Sequence, residues 1–335
     1  MFLISDNTAG VHPEIFAAIA AANTGHAPSY GEDPVTARAG ELFRAHFGAH
    51  AETVFAVTGT AANVIALASL LRPYETALCA ASAHIVTDEC AAPERFTGAR
   101  LTAVATPDGK LTPEQVTAFA RAGDPPHTPL PRAVSLAQPT ELGTVYSVAE
   151  LSAVAAATHA HGLRLHVDGA RLANAAAALG TGLAEAATGA DVVSFGGTKN
   201  GALAADAVVF LDPGLAGSRR LVQKQAMQLL SKARFTAAQF VALLSGDLWR
   251  TNAQRANAAA ARIAEAVAAV PGAAVGLAAQ TNAVFATLPP HDDAELGRYG
   301  SRWAGGPMRR YMAAYDTTEA DTERFARALK AAFIR

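Results

Sequence analysis

Apolar and polar positions alternate between two periods along residues 12 to 210. Thr53 to Val57, Ala77 to Ala80, Leu101 to Ala105, Ala133 to Leu136, Leu163 to Val167 and Val192 to Phe195 are short apolar runs. Runs of that length, bounded by glycine or polar residues, predict buried strands. Helical patterns lie between them. His12-Pro13-Glu14 and Asp33-Pro34 begin two helices, with proline where its missing N–H costs nothing. The second carries Leu42, Phe43 and Phe47 on one side and stops at Gly48. Thr58 to Asn63 turns into a third helix, through Leu71. Thr112-Pro113-Glu114-Gln115 and Ser147-Val148-Ala149-Glu150 are capping boxes, which open two more. The second of these runs to about His161, and another helix follows from Arg171.

Strands alternating with helices predict an α/β fold, a three-layer sandwich around a mostly parallel sheet. One connection breaks the rule. Between Phe195 and Ala207-Val208-Val209-Phe210 the chain is too short for a helical crossover, so that pair is expected antiparallel. From about Leu215 the pattern is helical. After residue 250 it gives a helix, strands around Ala273–Gly276, Ala283–Leu288 and Arg310–Ala313, and a last helix from Asp316. The expectation is a large domain over residues 1–248 and a smaller α+β domain over 249–335.

Ligands of open parallel sheets bind beyond the carboxyl ends of the strands. His84, Gln138, Thr140, Asp168 and Lys199 each follow a different predicted strand. Lys199 comes just after Gly196-Gly197, whose lack of side chains lets a cofactor approach the backbone. A lysine buried there loses charge and becomes a nucleophile able to form a Schiff base. Taken alone, Lys199 is more simply a surface lysine. Asp168 ends a buried strand and needs a cationic partner. Arg171 is one candidate and a protonated ring nitrogen is another. A Schiff-base lysine with an aspartate on the ring nitrogen is how proteins hold pyridoxal phosphate. Gly59-Thr60 opens a helix after a strand, a place suited to phosphate. His166 shares a sheet face with Asp168 and reads as a core histidine. His159 and His161 close a helix and point apart, which fits a solvated helix end better than a metal site.

Composition narrows the class. The 335 residues carry a formal charge of −2 and 17% charged side chains, without a basic run, which argues against nucleic acid as a partner. Cys79 and Cys90 form neither a CxxC pair nor a disulfide framework, so a reducing, cytoplasmic setting is expected. The first residues lack the features of a signal peptide and no apolar run is long enough to span a membrane. No GxGxxG follows a strand and no GxxxxGK[ST] occurs, which disfavours dinucleotide or triphosphate chemistry.

A family resemblance then emerges. It is carried by Ser5-Asp6-Asn7, Ser29 to Asp33, Gly59-Thr60-Ala61-Ala62-Asn63, Ala83-His84 with Asp88-Glu89, Leu165 to Arg171, Ser194 to Gly201, and the region of Arg310. The chain resembles the low-specificity L-threonine aldolases, pyridoxal-phosphate enzymes of the aspartate-aminotransferase fold (fold type I). The lysine loop reads GGTKNG, where many members have a serine before the lysine. The resemblance implies cleavage of β-hydroxy-α-amino acids to glycine and an aldehyde. It implies that Lys199 carries the cofactor, that Asp168 pairs with the ring nitrogen, and that His84 stacks on the ring and contacts the substrate hydroxyl as the first candidate for its base. Gly59, Thr60 and Lys224 would bind the phosphate. Ser5, Arg171 and Arg310 would grip the substrate carboxylate, with Arg310 preferred to the adjacent Arg309. His127 would be a second histidine near the hydroxyl. Tyr30 and Arg234 would lie at a subunit contact of a homotetramer whose active sites are shared. Other reactions of the same cofactor, namely β-elimination, transamination or racemisation, stay open at this point, as does a binding protein on the same scaffold.

Overall fold

The computed structural model describes residues 3–290, 296–303 and 306–333. Within them, seven strands form the large sheet: β1 (Glu52–Ala56), β2 (Glu75–Ala80), β3 (Arg100–Val104), β4 (Leu130–Ala137), β5 (Arg164–Gly169), β6 (Val192–Gly196) and β7 (Asp206–Phe210). Their order is β1-β7-β6-β5-β4-β2-β3. Neighbours pair in parallel except that β7 runs antiparallel to both β6 and β1. The short turn after Phe195 forces that reversal, as the chain length predicts. Helices cover both faces. His12 caps Pro13–Ala21, Asp33 caps Pro34–Phe47, and both capping boxes form.

The lysine turn is anchored by aromatic packing. Phe195 lies 5.8 Å from Phe43 and from Phe47, edge to face with both, an arrangement that rings favour. Two glycines then fit where nothing larger would. A Cβ on Gly196 would strike the Ala170 carbonyl, and one on Gly197 would come within 2.5 Å of the Ala205 carbonyl.

His166 is fully buried on β5 and is a core residue, as its sheet face indicates. Its ring nitrogens lie 2.9 Å from Ser135 Oγ and 3.0 Å from Ser194 Oγ. Burial, opposed by the charge of Asp168, pushes it down to about 4. The unfolded chain therefore binds a proton that the folded chain refuses between about pH 6.5 and 4. Stability is expected to fall by about 3 kcal/mol as pH drops through that window. Urea midpoints measured against pH should show this slope, and His166→Gln should flatten it. An unchanged slope in that variant would contradict a buried neutral ring.

His159 departs from the sequence reading. It is not merely a solvated helix end, because its Nε2 donates to Asp191 Oδ2 at 3.0 Å. Arg164 meets the same carboxylate at 3.0 Å. This ionic group ties the helix Val148–Ala160 to the amino-terminal ends of the strands, away from the convergent polar residues.

The second sheet is antiparallel, with order β10-β11-β9-β8 over β8 (Ala274–Val275), β9 (Ala283–Thr287), β10 (Ser301–Arg302) and β11 (Met308–Met312). Strand β10 was not foreseen, since a two-residue strand leaves no periodic signal. The helices Leu248–Ala268 and Glu319–Phe333 pack on this sheet. Leu3 also belongs to that core, and its backbone is bonded to Tyr299 and Met312. The amino-terminal segment thus crosses to the small sheet and brings Ser5 and Asp6 beside the large one.

Candidate active site

The parallel strands end on one edge, and their following residues converge. Gly59 follows β1, His84 follows β2, Glu141 follows β4, Asp168 and Arg171 lie at the end of β5, and Lys199 follows β6. A cavity of about 820 Å³ opens there, between the two sheets. His84, Glu141, Arg171, Lys199 and Arg310 are on its wall, with Ser5 at the amino-terminal side. A smaller chamber continues beneath it toward Gly59, Asn63, Glu89 and Asp168, with His84, Glu141, Arg171 and Lys199 on both walls.

Lys199 sits in a single 3-10 turn, Thr198–Asn200. Its amine has neither a hydrogen-bond nor an ion-pair partner among the described residues. The Arg171 guanidinium and burial push its pKa below the usual lysine range, against the charges of Asp6, Asp168 and Asp206. A lysine so placed is readily uncharged and nucleophilic. Thr198 fixes the turn by accepting from the Ala205 N–H at 3.2 Å and donating to Asp206 at 3.1 Å.

Asp168 is 8% exposed. Its oxygens accept from the Ala170 N–H at 3.0 Å and from the Asn63 amide at 2.8 Å. No lysine or arginine among the described residues pairs with it. Arg171, the nearest candidate in sequence, turns away and grips Asp6 through two nitrogens, at 2.6 and 2.9 Å. That pair holds the Asp6 carboxyl below its ordinary range despite burial, with help from Lys199 and Asn282. A buried carboxylate with no cation beside it is costly unless something supplies the charge.

A hydrogen-bonded chain links the two walls of the lower chamber. His84 Nδ1 donates to Glu89 Oε1 at 2.8 Å. The same oxygen accepts from Asn63, and Asn63 reaches Asp168. The hydrogen bond to Glu89, aided by the charge of Asp168, raises the His84 pKa despite burial. Arg310 is desolvated and faces Arg171, which lowers its pKa. One of its nitrogens donates to the Ile4 carbonyl at 3.1 Å, while Nε is buried without a partner. Its neighbour Arg309 is buried in the alternate direction and is absent from the cavity wall, as strand alternation requires.

The remaining expected residues are placed less centrally. The N–H groups of Gly59 and Thr60 are free of partners among the described residues, since the Thr58 cap takes the Ala61 N–H at 3.1 Å. Gly59 lines the lower chamber and Thr60 does not. Lys224 is absent from both cavity walls and stands 5.7 Å from the Tyr30 ring. Tyr30 is itself outside the cavities and 44% exposed. Arg234 donates to the Thr24 and Gly25 carbonyls. His127 is exposed and lines neither cavity, so this chain alone does not bring it to the site. Asp6, Asn63, Glu89, Glu141, Asn282 and Asp206 were not foreseen as site residues. Ordinary polar residues near strand or helix ends carry no periodic mark, and only the assembled sheet edge gathers them.

Comparison with known proteins points the same way. The beta-eliminating lyase family matches residues 3–289. The low specificity L-threonine aldolase of Pseudomonas aeruginosa is 44% identical, over 93% of this chain and 92% of that one. An enzyme of the same name from a Pseudomonas species is 40% identical, over 98% and 96%. The structure of a Leishmania major threonine aldolase superposes with a TM-score of 0.92 at 29% identity, covering 98% of both chains. A mostly parallel sheet with this edge site, an antiparallel small sheet and near full-length similarity make the chain a member of the beta-eliminating lyase family, among its low-specificity L-threonine aldolases.

Proposed function

We propose that the chain is an aldehyde-lyase that cleaves L-threonine, L-allo-threonine and related β-hydroxy-α-amino acids such as phenylserine to glycine and an aldehyde, with pyridoxal 5'-phosphate as cofactor. One observation carries the reading. Asp168 is a buried carboxylate without a protein cation, in the same chamber as Lys199, a half-buried lysine without a partner among the described residues. A cofactor with a protonated ring nitrogen and an aldehyde satisfies both at once. Two further features fit the same group. The free N–H groups at the start of helix Gly59–Leu70 suit a phosphate. The orphaned Arg310 Nε suits a substrate carboxylate.

Bound in this chamber, pyridoxal phosphate supplies an electron-withdrawing ring that takes up the electron pair of the breaking Cα–Cβ bond. The chain's own residues do the rest. Lys199 would be the covalent tether, its pKa lowered by Arg171 and burial. Asp168 would keep a proton on the ring nitrogen, and the Asn63 and Ala170 donors fix its carboxyl in place. Gly59 and Thr60 fix the phosphate, and Lys224 neutralises it. Arg310, Arg171 and Ser5 hold the substrate carboxylate and so fix which bond at Cα stands across the ring. His84 covers the ring and meets the β-hydroxyl.

The proposed assembly is a homotetramer with shared sites, in a cytoplasmic setting. The exposed apolar side chains Leu221 and Met227 lie near Tyr30 and Lys224, and such surfaces mark contacts. A partner's copy of the 122–129 loop would bring His127 to this site. Among the described residues no helix is long and apolar enough to cross a membrane. We also place a domain division near residue 248, where the long helix Leu248–Ala268 joins the two sheets.

Borohydride reduction of the purified protein followed by peptide mapping tests the assignment. The cofactor is expected on the peptide containing Lys199. A label on another lysine, or no label on protein supplied with the cofactor, would contradict it.

A further inference from the structure

Glu141 has no role in the scheme above, yet it stands where the two chambers meet. It lines both, beside His84, Arg171 and Lys199. Its Oε1 accepts the backbone N–H of His84 at 2.7 Å, which fixes the carboxyl against the residue that meets the substrate hydroxyl. Its Oε2 has no hydrogen-bond partner among the described residues and is not sealed from the cavity. The groups that act on it come from every surrounding element: Asp168 and Arg171 at the end of β5, His84 after β2, Cys79 within β2, and Tyr146 beyond β4.

Resting on the aldolase reading, we propose that Glu141 is the base that takes the β-hydroxyl proton and the acid that returns it to Cα. As the substrate O–H bond breaks, the proton passes to Oε2 and the oxygen's electron pair forms the aldehyde C=O. The cofactor's ring would supply the sink for the Cα–Cβ electron pair. Glu141, now a neutral acid, then gives its proton to Cα as that pair returns, which completes glycine and restores the carboxylate. Atoms and charge balance without any further reactant.

Two properties favour Glu141 over His84 for this task. Burial and the charge of Asp168 push the Glu141 carboxyl up to about 7, against the pull of the His84 N–H. A base works best when its pKa lies near the working pH. The ring of His84 is already engaged, with Nδ1 donating to Glu89 Oε1 at 2.8 Å and Nε2 3.5 Å from Asp88, whereas Glu141 Oε2 is open to the cavity.

The test is Glu141→Gln, whose amide oxygen still accepts the His84 N–H, so the local geometry is kept. At neutral pH its kcat/KM for L-threonine is expected to fall about 100-fold, the scale of general acid–base catalysis. The acidic limb of the wild-type pH profile, centred near 7, should vanish with it. Glycine affinity should stay within about threefold, because glycine has no hydroxyl to deprotonate. Difference infrared spectra of the holoenzyme give a readout apart from turnover. A protonated-carboxyl band lost as pH rises through neutrality should be present in wild type and missing in Glu141→Gln. Glu141→Asp should recover part of the rate and keep a shifted limb. A Glu141→Gln enzyme with the wild-type limb and more than about a third of its kcat/KM would overturn this assignment alone. Wild-type holoenzyme that releases no aldehyde from threonine would overturn the aldolase reading and this proposal together.

Discussion

Lys199→Ala is expected to lose at least about 10⁴-fold in turnover, with no cofactor fixed by borohydride. The residue has one task in this account, and nothing nearby can take it over. Lys224, the next lysine along the chain, is on neither cavity wall. The turn itself should survive the change. It is held by Phe195 against Phe43 and Phe47, by the Gly196-Gly197 fit against neighbouring carbonyls, and by Thr198 to Ala205 and Asp206. Circular dichroism should therefore be unchanged while activity is gone. Substantial threonine cleavage by this variant would remove Lys199 from the chemistry.

Arg171→Leu is expected to damage stability as well as activity. Asp6 is buried, the Arg171 side chain is 19% exposed, and the two are bonded through two contacts. Removing one member of such a pair leaves the other charge uncompensated, at about 3–5 kcal/mol. Asn282 still donates to Asp6 at 3.0 Å, but an amide carries no charge to offset it. The double variant Asp6→Asn/Arg171→Leu should be more stable than Arg171→Leu alone, since it removes the stranded charge. Denaturant titration of both variants checks this. Equal stability would mean that Asp6 is solvated or protonated once Arg171 is gone. Both variants should bind glycine weakly if Arg171 helps to hold the substrate carboxylate as proposed.

The large sheet was legible from sequence because each of its strands is a short apolar run with a polar residue at its end. The antiparallel β7 followed from the chain length between Phe195 and Ala207. Capping boxes at Thr112 and Ser147 marked two helix starts because side-chain caps are local chemistry. The convergence of His84, Asp168 and Lys199 was equally legible, since strand ends of a parallel sheet share one edge. Partner identity was not. Asp168 and Arg171 are three residues apart, and the sequence left open whether they pair. Only the path of the amino-terminal segment, through Leu3 to the small-sheet core, brings Asp6 to Arg171 and leaves Asp168 without a cation. Glu141 was missed for a similar reason, because its meaning depends on a cavity shared with His84. His127, Tyr30 and Arg234 were named through the family resemblance, and their place depends on an assembly beyond one chain.

The most direct measurement of the central claim is the identity of the products when purified holoenzyme meets L-threonine. Glycine and acetaldehyde in equal amounts, with the aldehyde detected by its reduction in a coupled assay, are the predicted result. Ammonia with a keto acid, or threonine merely inverted at Cα, would contradict the account and assign the same residues to a different reaction of this cofactor.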